Sequence, residues 1–139
     1  MGENEDRQGK IIMYQILQAE YEELRRQMLL AESRVIDLET SDHALNEMKR
    51  FRKDNETLVP LGSGCYAKGS IMGSDLLLDI GAGIMIERNV NSVKEFLDER
   101  KSEIEKARKE IQLQMESVIK TINELTPEIE KIIRESQQG

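Results

Sequence analysis

Residues Thr57–Asn89 read TLVPLGSGCYAKGSIMGSDLLLDIGAGIMIERN. This stretch holds most of the glycines and almost all of the strand-like sequence. It reads as four short strands separated by glycine turns. Leu58-Val59-Pro60-Leu61 is the first, and Pro60, which donates no ladder hydrogen bond, puts it at an edge or at the start of a hairpin. Cys65 to about Met72 is the second, with Gly69 as a bulge or bend. Leu76–Ile80 and Ile84–Glu87 are the third and fourth. Strands spaced this way form two successive hairpins. Their apolar content exceeds what one small sheet covers, which implies a second sheet supplied by another subunit.

Outward from this insert, both flanks are charged and helix-forming. On the N-terminal side Tyr14, Tyr21, Met28 and Val35 recur every seven residues, as do Leu17, Leu24, Ala31, Leu38 and Leu45. The offset between the two sets makes them the a and d positions of one heptad seam. No proline and no glycine interrupts Lys10–Asn55, and a helix of about 45 residues would be roughly 65 Å long. Asp42 at a seam position suggests that the helices diverge there. Met48 and Phe51 continue the pattern on a shifted spacing, and Asp54-Asn55 provides a stop. Met1–Gln8 is polar and expected to fray.

On the C-terminal side Ser92 and Glu95 form the pattern of a reciprocal capping box. Leu97, Ile104, Ile111, Val118, Leu125 and Ile132 then recur at seven-residue spacing. Their partner positions, Lys101, Arg108, Met115, Ile122 and Ile129, are charged first and apolar later, with Val93, Phe96 and Ala107 thickening the apolar face near the insert. Two seams of similar length flanking a bend pair antiparallel. Pro127 should kink the last turns or restart the helix with Thr126 as its cap. The fold class is therefore mostly α with a small β insert: an antiparallel coiled-coil hairpin with two β-hairpins at the bend. One domain over 1–139 is expected, with helices over 9–55 and 92–136 around an insert over 57–89.

Composition agrees. Of 139 residues 34% are charged and 4% aromatic, the balance of long solvated helices and not of a thick core. An oligomer is needed to cover the remaining apolar surface. The net charge of −7 argues against nucleic acid as a partner. No apolar run of membrane-spanning length is present, nor the apolar core of a signal peptide. The single cysteine, Cys65, suits a reducing compartment, and a cytoplasmic location is expected.

No constellation supports catalysis. Gly64–Ser70 superficially resembles a phosphate-binding loop but lacks the lysine and the following helix that such a loop requires. Cys65 has no catalytic partner, and His43, the only histidine, has no companion metal ligands. Neither a cofactor nor a metal is expected, and the chain is not expected to be an enzyme. The carboxylates lie at helical spacing with lysines and arginines, as on a solvated face. What stands out is apolar content where the chain termini meet: Ile11, Ile12, Met13, Ile16 and Leu17 on one helix, Ile129, Ile132 and Ile133 on the other. A two-stranded seam needs only a and d residues. The surplus either binds something or compensates for fraying and Pro127. In the insert, Leu58, Val59, Leu76, Leu77, Leu78, Ile80, Ile84 and Ile86 are the candidate assembly residues.

Leu58-Val59-Pro60-Leu61-Gly62, Tyr66-Ala67-Lys68 and Ile80-Gly81-Ala82-Gly83-Ile84, in the order helix, hairpin, hairpin, helix, resemble the alpha class of prefoldin subunits. That resemblance implies a double β-barrel body with coiled-coil tentacles, built from two alpha chains and four single-hairpin beta-class chains. It further implies capture of unfolded polypeptide between the tentacle tips and delivery to a group II chaperonin without ATP. A structural coiled-coil module whose insert only oligomerises it is the competing reading.

Overall fold

Two long helices flank two β-hairpins in a computed structural model that describes residues 2–50 and 56–138. Helix α1 is Gly2–Met48, strands β1 to β4 are Glu56–Gly62, Cys65–Ser70, Asp75–Gly81 and Ile84–Asn89, and helix α2 is Val90–Gln138. Helix α1 begins well before position 9: Glu3, Glu5, Arg7 and Gln8 are good helix formers, and the acids of the first turn lie where the helix dipole favours them. It ends at Met48, followed by a turn at Lys49 and Arg50. The stop at Asp54-Asn55, and Phe51 before it, lie outside the described residues.

The start of α2 differs from the capping-box expectation. Asn89, the last residue of β4, is the cap, and its Oδ1 accepts a hydrogen bond from the Ser92 amide at 2.8 Å. Ser92 is thus the third residue of the helix and not its cap, because an Asn side chain already satisfies the free amide there. At the far end α2 runs through Pro127 without a break. Thr126 does not cap a new helix. Its hydroxyl donates back to the Ile122 carbonyl at 2.6 Å, within the same turn, where a threonine in mid-helix finds its acceptor.

The chain divides into two compact units, Met1–Val35 with Glu103–Gly139, and Ile36–Ser102. In the first, Leu24, Ala31 and Val35 of α1 and Val118 and Ile129 of α2 are buried, all at heptad positions, and Tyr14, Leu17, Tyr21, Met28, Ile104, Ile111, Met115, Ile122 and Leu125 are half-buried along the same strip. The helices run antiparallel, since Arg7 pairs with Glu135, Lys10 with Glu128 and Glu32 with Arg108. In the second unit Leu45 and Val93 are buried. Here the antiparallel pairs are Glu39 with Lys101 at 3.3 Å and Asp42 with Lys94 at 4.0 Å. Asp42 is thus accommodated by a cation from the opposite helix. Ala107, expected to thicken the apolar face, is exposed.

The hairpins are built alike. Ser63-Gly64 and Ala82-Gly83 are two-residue turns in which every residue has positive φ, at 52°, 80°, 53° and 76°. This is the backbone of a type I′ turn, whose twist matches that of the flanking strands. In each hairpin the register shifts just before the turn, between Pro60 and Gly62 and between Asp79 and Gly81, leaving Leu61 and Ile80 as the extra residues. The bulge is therefore at Leu61 and not at Gly69, which pairs in step with Thr57. Asp79 Oδ1 accepts the Gly81 amide at 2.9 Å and braces the second bulge. The two sheets are separate, each of two antiparallel strands.

Two outcomes follow from the seam. Leu24 is only 6% exposed, so Leu24→Ala should cost about 2–4 kcal/mol, whereas Leu30→Ala on the outer surface should stay within about 0.5 kcal/mol, both read from thermal or urea unfolding followed at the helical circular-dichroism band. Arg108 stands at a seam position with its Nε buried and without a partner, although its terminal nitrogens reach Glu105 at 3.1 Å and Glu32 at 3.7 Å. Arg108→Leu should raise the unfolding free energy by about 1 kcal/mol, seen as a higher midpoint, since apolar packing replaces an incompletely satisfied cation. A lowered midpoint would show that the guanidinium contacts outweigh that cost.

Candidate functional site

At the termini end of the first unit, helical periodicity sorts the apolar residues into two groups. Ile11, Leu17, Ile129 and Ile132 fall on the strip between α1 and α2 and are half-buried or buried. Ile12, Met13, Ile16 and Ile133 fall outside it and are 55%, 50%, 59% and 50% exposed. Pairing of the helices therefore occupies half of the candidate set and leaves half open to solvent. Ile12 and Ile16 stand one turn apart on the outer side of α1, and Met13 lies beside them.

Two ion pairs tie the helices together at this end. Arg7 Nη2 lies 2.6 Å from Glu135 Oε2, and Lys10 Nζ lies 3.5 Å from Glu128 Oε2. Both are substantially solvated, so each contributes under about 1 kcal/mol. Their consequence is positional, because they draw the two basic side chains of this part of α1 toward α2. Farther along α1, Arg26 binds Glu23 at 2.7 Å and holds its carboxyl below the ordinary carboxylate value.

The hairpins separate the assembly candidates by strand alternation. In the second hairpin Leu76, Leu78 and Ile86 are half-buried and share one face, with the bulged Ile80 beside them. Leu78, Ile80, Ile86 and Arg88 form one wall of an open recess whose other wall is Ser92, Glu95, Phe96 and Glu99 at the start of α2. The Arg100 guanidinium lies over the Phe96 ring, 4.6 Å from its centre. Leu77 points to the opposite face and is exposed, as is Met85 near it. In the first hairpin Val59 and Leu58 likewise occupy opposite faces, and both are exposed, together with Leu61 and Tyr66. Ile84, beside the second turn, is exposed too. Among the described residues each two-stranded sheet keeps two outer edges unpaired.

Sequence reasoning passed over Leu61, Tyr66 and Met85, and the recess at Phe96. The clue was available: the two glycine turns follow matching apolar strands, so Leu61 corresponds to Ile80 and Tyr66 to Met85. Elsewhere the geometry offers little chemistry. Cys65 is an exposed strand residue beside a turn, and His43 is exposed on α1. Among the described residues no group of three His, Cys, Asp or Glu side chains comes together as a metal site, and no described helix is long and apolar enough to cross a membrane.

A family model described as Prefoldin subunit matches residues 17–135, from near the start of the first seam to just past the last position of the second. Prefoldin subunit alpha of Thermofilum pendens is 28% identical over 117 residues, covering 84% of this chain and 91% of that protein. Prefoldin subunit alpha of Methanothrix thermoacetophila is 33% identical, over 78% of this chain and 71% of its own length. Among solved structures, filamentous PFD from Methanocaldococcus jannaschii superposes with a TM-score of 0.71 over 82% of this chain and 95% of that one, at 17% identity, a likeness of fold. Two seamed helices joined through two bulged hairpins, read together with those matches, place the chain in the prefoldin family as an alpha-class chaperone subunit.

Proposed function

We propose that this chain holds segments of unfolded polypeptide against the apolar side chains at the termini end of its helices. The observation that carries the reading is the exposure of Ile12, Met13, Ile16 and Ile133 beside a seam that does not need them. Apolar side chains left in water at a helix end cost free energy that a bound apolar segment recovers. Ile11, Leu17, Ile129 and Ile132 then act from beneath, by holding the two helices together. No nucleotide is required, because holding needs only contact area. Abundant surface charge keeps the holder itself in solution.

The hairpins supply assembly. Exposed Leu58, Val59, Leu77, Ile80 and Ile84, the half-buried Leu76, Leu78 and Ile86, and unpaired strand edges are suited to further strands from other subunits. In this reading two such chains pair and four beta-class subunits dock on the remaining edges, in the cytoplasm. Several weak tips then act on one client with combined strength and pass it to a group II chaperonin.

Co-expression with a single-hairpin beta-class partner and native mass measurement tests the assembly: a complex of two plus four chains is expected, and a homodimer that ignores the partner would favour a bare oligomerisation module. In the assembled complex, the triple substitution Ile12→Ser, Ile16→Ser and Ile133→Ser should weaken suppression of aggregation of a chemically unfolded protein several-fold, roughly as expected from losing a few apolar contacts, while the native mass stays unchanged. Unaltered suppression would remove these residues from the holding surface.

A further inference from the structure

The outer face of α1 near the termini carries carboxylates without ion-pair partners next to its apolar residues. Helical spacing places Glu5, Gly9, Ile12, Ile16 and Glu20 along one face, with Asp6 and Met13 at its margin. All of these side chains are exposed. Arg7 and Lys10 are the basic residues of this part of α1, and both are turned toward α2, onto Glu135 and Glu128. Glu22 and Glu23, farther along, have Arg25 and Arg26. Glu5, Asp6 and Glu20 make no ion pair among the described residues. The apolar group Ile12, Met13 and Ile16 is thus bracketed by carboxylates, two before it and one after, with no cation on that face. Gly9, without a side chain, leaves the surface open between Glu5 and Ile12.

From this arrangement we infer that the outer face of α1 selects unfolded segments in which apolar residues are interleaved with lysine or arginine, and disfavours acidic segments of equal apolar content. The inference rests on the holding function proposed above and names the class of segment held. An apolar patch alone does not discriminate between two segments of equal hydrophobicity. The flanking carboxylates do, by attracting ammonium or guanidinium groups one turn away from the apolar contact and by repelling carboxylates. The same negative field disfavours the docking of this face on another copy of itself, since both faces would present the same sign.

The test uses the full chain assembled with its beta-class partner and two unstructured synthetic peptides of equal length and identical apolar spacing, one carrying Lys and Arg between the apolar residues and the other Asp and Glu. Binding is followed by fluorescence anisotropy. The cationic peptide should bind about five-fold more tightly, the effect of a few solvated charge pairs. That preference should shrink toward parity when salt reduces the Debye length to about 3 Å. Glu5→Gln with Asp6→Asn and Glu20→Gln should abolish the preference while leaving the acidic peptide bound at least as well as before. Ile12→Ser with Ile16→Ser should weaken both peptides, and far-UV circular dichroism checks that helicity is retained. Equal binding of the two peptides to the unaltered complex overturns the charge selection and leaves the holding function standing. Binding of neither overturns both. Self-association through this face, lost in the Ile12→Ser, Ile16→Ser variant, would assign the face to a second copy and also overturn the selection.

Discussion

The structure depends on one narrow apolar strip per helix and the need to cover it. Neither α1 nor α2 has a globular core to lie on, and no side chain in either is completely buried. Leu24, Ala31, Val35, Val118 and Ile129 are sheltered only by the opposite helix. Helical stability in such an arrangement comes from mutual burial and not from propensity. Each seam is therefore the condition for the other, and antiparallel pairing follows from the insert that joins them. Once the strip is occupied, anything apolar that lies off it remains in water. Ile12, Met13 and Ile16 are exposed for that reason.

Charge is distributed along the seam with a purpose that the ion pairs make visible. In the Ile36–Ser102 unit, Glu39 meets Lys101 and Asp42 meets Lys94, whose ammonium also donates to the Asn46 side chain. In the other unit Glu32 meets Arg108, while the positions nearer the termini are filled by Val118, Ile122, Leu125 and Ile129. A cation at a seam position is tolerated only where the opposite helix supplies an acid at the same level. A slip of one heptad would place Arg108 against Arg25 in one direction and Lys101 against Asn46 in the other, so the set of pairs favours one register while each solvated pair adds little stability.

The two hairpins repeat one design with different side chains. Both have a positive-φ turn and a bulge just before it, and both leave their outer edges unpaired. The second leads directly into α2 through the Asn89 cap, so its inner face is set against Phe96 and Glu99. The first carries Pro60 where the second has Asp79, and shows its apolar residues, Leu58, Val59, Leu61 and Tyr66, largely to solvent. The one insert thus carries two separate two-stranded sheets.

The amino-acid sequence alone determined the element order, the heptad seam and the two hairpin turns, because each is written locally: a period of seven, a period of two, and glycines where the backbone turns left-handed. It did not determine the ends. Whether Asn89 or Ser92 caps α2 depends on which side chain the last strand delivers to the free amides, and whether Thr126 starts a helix depends on whether Ile122 offers it a carbonyl in an unbroken turn. The heptad spacing did set Ile12, Met13, Ile16 and Ile133 apart as surplus to the seam, and all four are exposed. What it did not give is the state of Ile11, which is at neither an a nor a d position and is nevertheless half-buried in the packed pair. Tertiary structure likewise decides the partners of the nearby cations. Helical spacing already sets Arg7 and Lys10 off the face of Ile12 and Ile16, and the fold gives them Glu135 and Glu128, far along the chain but close in space.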